Sequence, residues 1–344
     1  MLKCLITSLL LAGPVWSQTA PPAAVPGQEA FKASISEVIV PVTVTDDKGK
    51  FVSNLDAKDF ELYDEGVKQN ISFFTRERNQ PVVIGYLIDL SNTNKLHWDK
   101  FKEAIIELIV ATMDPDGKGA VREQFSGYLV GYSTDAELLV NTTNDPEKLL
   151  DRVRKAKPGG GAALFDALYM ACTSRTLVKG EPIEPRRVIV VVGDGHDNAS
   201  KKGLNEVLEL AQRNLITIYG VSTVAFGFNA QGESNLKRLA EATGGRVVYP
   251  LEDVYSDVAG YLSTPSDEGN YALKVGTGGY ASKIMGGIVR AIGATAGEIT
   301  TQYILRYTPV DADRARVFRK IEVRVNLPYV KVRAREGYYP FPVQ

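Results

Sequence analysis

Hydrophobic and polar residues alternate at both ends of the chain, and this pattern predicts antiparallel strands. Residues 31–80 contain two strand–turn–strand patterns, with turns at Asp46–Gly49 and Asp64–Gly66. Alternation returns from Ile299 in TTQYILRYTPV, RKIEVRVNL and VKVRAREGYY. Because each set of strands is too small for a core of its own, we expect residues 31–80 and 299–341 to share one β-sandwich. Two separate β appendages are the alternative.

Between these ends, apolar strands alternate with helical patterns. The runs VVIGYLI and RRVIVVVG suit strands that are buried on both faces. Helices are predicted over WDKFKEAIIELIVATM, from Asp145–Pro146, and over Leu164–Leu177 and Leu204–Arg213. This alternation predicts an α/β fold, a doubly wound and mostly parallel sheet, over residues 81–298. Residues 251–281 are glycine-rich and loop-like, so we interpret them as an atypical insertion before a closing helix at 284–296.

The first 30 residues are predicted to lie outside the fold. MLKCLITSLLLAGPVWSQ has Lys3, a short apolar run and a small residue at Ser17, which is typical of a signal peptide over residues 1–17. An uncleaved anchor is the alternative. Residues 18–30 are rich in Pro and Ala and predict an extended linker. We expect an exported protein, periplasmic, on the cell surface or secreted, with no membrane span in the mature chain.

Charge and cysteine content narrow the functional classes. The net charge of -1 offers no electrostatic argument for nucleic acid as a partner. Once the signal peptide is removed, Cys172 is the only cysteine, so no internal disulfide can form. It falls on an apolar helix pattern, which favours a core residue over a catalytic thiol.

Oxygen-bearing side chains follow two of the predicted central strands. Asp89 ends the first strand, Ser91 and Thr93 follow at alternate positions, and Asp194 ends VIVVVGD. The carboxyl ends of parallel strands meet at one edge of the sheet, so we expect the two acids to be neighbours. Two carboxylates about 6 Å apart at an effective dielectric of about 20 repel by roughly 3 kcal/mol. A hard cation bound by oxygen ligands, such as Mg²⁺, would offset this repulsion.

Three segments of the chain resemble the von Willebrand factor A (VWA) family. DLSNT is similar to the family's D-x-S-x-S/T signature, GGGAALFDAL to its G-G-T-x-L-Y-D-A loop, and GDGHDN to its T/S-D-G loop. The resemblance covers Pro81 to about Pro250, and the three segments occur in the family's order. The flanking strands also resemble bacterial exported VWFA-related proteins of the acidobacterial type. The resemblance implies a VWA domain inserted in the sandwich, and a non-enzymatic protein that mediates protein binding or adhesion.

The resemblance also implies a metal-ion-dependent adhesion site (MIDAS). Its cation, Mg²⁺ or else Mn²⁺ or Ca²⁺, would bind an acidic side chain of a protein partner. The first loop would supply Asp89, Ser91 and Thr93, and the third loop Asp194. Ala162 stands where the second loop should offer a threonine, so one oxygen ligand is missing. The site is therefore either a weak cation site or a vestigial one, in a structural or assembly module.

Other polar residues near these loops have simpler interpretations. Asp166 is expected to lie behind the metal ligands or to cap the helix that begins beside it. His97 is expected near the rim of the site. His196 and Asp197 are adjacent residues whose side chains could act as an acid–base pair. No nucleophile follows at matching spacing, so a solvated loop is favoured.

A glycine-rich match suggests an enzyme, but only weakly. Gly276, Gly278 and Ala281 have the G-x-G-x-x-A spacing of a dinucleotide loop. They lie at the end of the α/β pattern rather than at its start, which favours a flexible insertion. A metal-assisted hydrolase or a nucleotide-dependent enzyme therefore ranks below a binding protein.

Overall fold

The structure is a computed structural model that describes residues 37–76, 81–95, 98–114, 125–173, 185–223, 230–250, 278–309 and 317–340. The predicted signal peptide, the linker, His97, Gly276 and residues 251–277 of the insertion lie outside the described residues. The described residues contain these strands and helices: β1 (Val38–Asp46), β2 (Phe60–Asp64), β3 (Val67–Gln69), β4 (Phe73–Thr75), β5 (Val82–Asp89), α1 (Trp98–Met113), β6 (Phe125–Tyr132), β7 (Ala136–Thr143), α2 (Pro146–Lys155), α3 (Leu164–Thr173), β8 (Arg186–Gly193), α4 (Leu204–Arg213), β9 (Thr217–Ser222), α5 (Ala230–Thr243), β10 (Val247–Val248), α6 (Gly278–Thr301), β11 (Tyr303–Tyr307), β12 (Arg319–Val325), β13 (Val330–Arg333) and β14 (Gly337–Tyr338).

The middle of the chain forms a six-stranded sheet in the order β10-β9-β8-β5-β6-β7. Neighbouring strands are parallel except β6 and β7, which are antiparallel. All eight residues of β5 are buried, because this central strand is covered on both faces. Burying one Val, Leu or Ile side chain stabilises a fold by about 1.5–3 kcal/mol, so the apolar runs in β5 and β8 fix the centre of the sheet.

Helices cover both faces of this sheet. One hydrophobic core joins α1, α2 and α6 to the face that carries Ile84 and Ile88. A second core joins α3, α4 and α5 to the face that carries Val83 and Leu87. Cys172 is buried in this second core, and burial raises the pKa of its thiol to about 12. The doubly wound α/β prediction is confirmed.

Both ends of the chain build one β-sandwich. One sheet has the order β13-β1-β11-β4 and the other β14-β12-β2-β3, so each contains strands from both ends. The core between them contains Val40 and Leu62 from the N-terminal part and Leu305 and Tyr338 from the C-terminal part. The predicted shared sandwich is confirmed, whereas the domain boundaries at residues 80 and 298 remain predictions.

The closing helix is longer than predicted. It runs over Gly278–Thr301 rather than 284–296, so the strand expected from Ile299 begins at Tyr303. The predicted ends were wrong because Gly and Thr weaken a helix pattern in sequence. In the structure, the hydroxyls of Thr300 and Thr301 donate to carbonyls of the preceding turn, so both polar groups are satisfied within the helix. Gly278 and Ala281 lie within this helix.

A buried polar cluster lies where the sandwich meets the doubly wound sheet. Glu298 of α6 is 1% exposed, and its Oε1 accepts hydrogen bonds of 3.1 Å from the hydroxyls of Thr43 and Tyr219. The guanidinium of Arg246 lies 2.9 Å from Oε2, and Arg333 also pairs with this carboxylate. One side chain thus connects α6 and β9 to strands β1 and β13 of the sandwich.

None of the helices in the described parts of the chain is both long enough and apolar enough to cross a membrane.

Candidate functional site

The two predicted acids lie at the same edge of the sheet. Asp89 is the last residue of β5 and is 1% exposed, and Asp194 follows β8 directly and is 5% exposed. The strands are parallel neighbours, with Ile88 paired to Val192. Asp89 therefore lies beside Gly193, one residue before Asp194, which places both carboxylates in a buried position at the carboxyl edge.

The first loop brings Asp89, Ser91 and Thr93 together. Asp89 Oδ1 accepts a hydrogen bond of 2.8 Å from the Ser91 backbone N–H, which turns the chain back over the strand end. The hydroxyls of Ser91 and Thr93 share a hydrogen bond of 2.7 Å. Ser91 is buried and Thr93 is exposed, so the pair of hydroxyls leads from the buried carboxylate to the surface.

The third loop depends on a glycine. Asp194 Oδ1 accepts the backbone N–H of His196 at 2.8 Å. Between them, Gly195 has a φ of 78°, and its carbonyl accepts from the Asn235 side chain at 3.0 Å. A Cβ at Gly195 would lie 2.1 Å from the Gly232 carbonyl oxygen of α5, so only glycine fits this turn.

Gly195→Ala is expected to lower the free energy of unfolding by about 2 kcal/mol or more, because the residue would carry backbone strain as well as this contact. Urea denaturation measures the loss. The matched control is Gly293→Ala on α6, where a Cβ would meet no atom within 4 Å and alanine should stabilise the helix by about 0.5–1 kcal/mol. Equal stability of Gly195→Ala and the wild type would contradict this account of the loop.

The second loop is held by its backbone. The Ala162 N–H donates to Asn198 Oδ1 at 2.8 Å, and its carbonyl accepts from the N–H groups of Asn198 and Ala199. The Gly161 N–H donates to the hydroxyl of Thr134 at 3.1 Å. Ala162 is buried and has no side-chain oxygen, so the predicted gap in the donor set is present at this position.

Asp166 and Asp197 join the second loop to the third. The Asp166 carboxylate accepts the backbone N–H groups of Lys201 and Lys202 at 3.0–3.1 Å. Asp197 Oδ2 accepts the Phe165 N–H at 2.9 Å, at the start of α3. Asp197 lies in a loop, as expected, but it is half-buried and accepts from the helix start that Asp166 was expected to cap. The place of Asp166 behind the metal ligands stays a prediction.

The electrostatics of the edge disfavour a bare carboxylate. Burial, and then the neighbouring Asp194 carboxylate, raise the pKa of Asp89 to about 7. Asp89 Oδ2 is buried and has no hydrogen-bond partner among the described residues. Such an oxygen calls for a cation, a proton or a donor. Among the described residues, no three His, Cys, Asp or Glu side chains are grouped so that they could hold a metal ion. The hydroxyls of Ser91 and Thr93, together with water, would therefore have to complete the ligands of a cation here.

Two further hydroxyls lie at this edge, and no motif in the sequence pointed to them. Tyr132 ends β6 and Thr223 follows β9, and the hydroxyls of both are buried without a hydrogen-bond partner among the described residues. Each is a polar group placed directly at the carboxyl end of an apolar strand, which is the same signal that identified Asp89. The edge thus carries buried oxygens without a hydrogen-bond partner among the described residues at the carboxyl ends of three strands, as expected of a site that binds a ligand.

The middle of the chain is therefore an open, doubly wound α/β domain with oxygen-bearing side chains on the loops at its carboxyl edge. The chain belongs to the von Willebrand factor type A domain family, whose model matches residues 84–259.

The chain is also similar, at low sequence identity, to several other proteins. Thermosome subunit 1 of Haloferax volcanii is 22% identical in an alignment 175 residues long, which covers 48% of this chain and 31% of that protein. Proximal thread matrix protein 1 from the mussel byssus, with a zinc-occupied MIDAS motif, is 15% identical over 58% of this chain and 48% of its own, with a TM-score of 0.42. The vWF domain of the type V pili tip protein Mfa5 from Porphyromonas gingivalis is 15% identical over 53% of this chain and 95% of its own, with a TM-score of 0.40.

Proposed function

We propose that this chain is an exported, non-enzymatic binding protein that holds a divalent cation at the carboxyl edge of its VWA domain and binds a protein partner through it. The observation that carries the proposal is the unpaired, buried Oδ2 of Asp89, with Asp194 as neighbour and the Ser91–Thr93 hydroxyl pair next to it.

The donor set suits a hard cation. Asp89 and Asp194 would supply negative charge, and Ser91 and Thr93 neutral hydroxyl oxygens. Mg²⁺ commonly keeps several waters and takes one or two carboxylates, so a sparse set is adequate, and Mn²⁺ or Ca²⁺ have similar ligand preferences. A bound cation at the rim would supply a Lewis acid that accepts one carboxylate oxygen from a partner's Asp or Glu side chain.

Ala162 favours a second candidate function. The backbone of this residue is fixed by hydrogen bonds on both sides, and its methyl group offers no oxygen. A structural or assembly module with a vestigial metal site would show this arrangement, and it would bind its partners through another surface.

Partner capture in the presence and absence of Mg²⁺ separates the two functions. The wild type, Asp89→Ala and Asp99→Ala are immobilised and exposed to envelope and secreted fractions of the source organism. Asp99 is the control, because its carboxylate is 93% exposed on α1 and pairs only with Lys102 in the described structure. The cation function predicts a protein retained by the wild type and by Asp99→Ala with Mg²⁺, released by chelator, and not retained by Asp89→Ala. If the partner protein is retained equally in the presence of chelator and by Asp89→Ala, the vestigial site is favoured.

A further inference from the structure

Tyr132 occupies a particular position relative to the candidate site. It is the last residue of β6, it pairs in register with Asp89 of β5, and it is fully buried. Its side chain belongs to the core on the α3 side of the sheet. The phenol is therefore part of the site's floor, not of its solvent-exposed rim.

The Tyr132 hydroxyl lies in a small space beside β8, which is separated from β6 by β5. The space exists because Gly193 of β8 has no side chain. A Cβ built on Gly193 of β8 would lie 2.4 Å from the Tyr132 hydroxyl oxygen, 2.8 Å from Asp89 Cβ and 3.0 Å from Asp89 Oδ2. The Tyr132 hydroxyl and Asp89 Oδ2 thus border the same small space. Only a residue without Cβ leaves room for this approach, which explains the glycine at this position.

The two oxygens are chemically complementary. Neither has a hydrogen-bond partner among the described residues, and both are buried. A phenol hydroxyl donates and a carboxylate accepts, so one bridging water would satisfy both at once.

We propose that Tyr132 is a positioning residue of the cation site: its hydroxyl donates through one bridging water to Asp89 Oδ2 and holds the charged carboxylate in place for the cation. This inference rests on the proposed function. Groups that bond a metal's ligands from behind fix the orientation of those ligands, and their loss commonly costs 10- to 100-fold in metal affinity.

Mn²⁺ titration of the full chain by calorimetry tests the inference. Tyr132→Phe removes the hydroxyl alone and is expected to weaken Mn²⁺ binding by at least about 10-fold. The matched control is Tyr128→Phe. Tyr128 lies on the same strand and the same face, and its hydroxyl would be 2.3 Å from a Cβ on Gly85, further from the strand end. Tyr128→Phe should bind Mn²⁺ as the wild type does.

Metal-free melting temperatures guard against a general effect on folding. Tyr132→Phe and Tyr128→Phe each remove one buried phenol hydroxyl, so both variants should remain folded at the titration temperature and only Tyr132→Phe should lose Mn²⁺ affinity. Wild-type affinity in Tyr132→Phe, or equal weakening by Tyr128→Phe, overturns the inference and leaves the cation site standing. Absence of Mn²⁺ binding by the wild type and by every variant overturns the cation site itself, and the role of Tyr132 with it.

Discussion

Glu298→Ala is expected to lower the free energy of unfolding by about 3 kcal/mol or more. Removing one member of a buried ion pair commonly costs about 3–5 kcal/mol. The lower end applies because the side chains of Arg246 and Arg333 are 34% and 30% exposed and can reach water. The hydroxyls of Thr43 and Tyr219 would lose their acceptor as well.

Urea denaturation of three variants checks this expectation. Glu298→Gln keeps an oxygen acceptor without the charge and should lose less stability than Glu298→Ala. Glu206→Ala removes an acid from the surface pair with Lys202 and should stay within about 0.5 kcal/mol of the wild type. If Glu298→Ala were as stable as Glu206→Ala, the cluster would not hold the sandwich to the doubly wound sheet.

A divalent cation is expected to stabilise the wild type. At a hundredfold excess over Kd, a ligand that binds only the folded state adds about 2.7 kcal/mol. Each kcal/mol raises the Tm of a chain of 150–250 residues by roughly 2–4 °C, so for this longer chain we expect a rise of about 5 °C with excess Mg²⁺. Asp89→Ala should show no rise, and calorimetric melting curves with Mg²⁺ or chelator measure it.

The pKa of Asp89 adds a pH dependence to this effect. Because the folded-state pKa of about 7 exceeds the ordinary value of 3.8, the metal-free fold binds a proton that the unfolded chain releases, and its stability falls as the pH rises through this window. Protons therefore compete with the cation, and the Mg²⁺-dependent rise in Tm should be small at pH 5 and full at pH 8. A rise that is larger at pH 5 would place the cation elsewhere.

The centre of the fold and the first and third loops were predictable because they depend on local patterns. A continuous apolar run predicts a strand that is covered on both faces, and an acid at its end falls at the edge of a parallel sheet. Asp89 and Asp194 follow from these two rules alone. The shared sandwich followed from the small number of strands at each end, because neither set could form a core.

The remaining features depend on which strands become neighbours. Tyr132 and Gly193 are far apart in sequence, and only the register of β6, β5 and β8 brings the phenol into the space beside the glycine. Glu298 likewise gains its partners from two strands of the sandwich, which no helix pattern shows. The contact of Asp197 with the start of α3 depends on how the second and third loops pack, which its polar neighbours in sequence do not show.

Direct titration of Mn²⁺ into the wild type, Asp89→Ala and Ala162→Thr at pH 8 tests the cation site most directly. We expect Mn²⁺ to bind at one site in the wild type, not to bind at that site in Asp89→Ala, and to bind more tightly in Ala162→Thr, which restores a hydroxyl to the second loop. Binding in Ala162→Thr alone would mean that the natural site is vestigial. Equal Mn²⁺ affinity in the wild type and Asp89→Ala, or none in any folded variant, would contradict a cation site at this edge of the sheet.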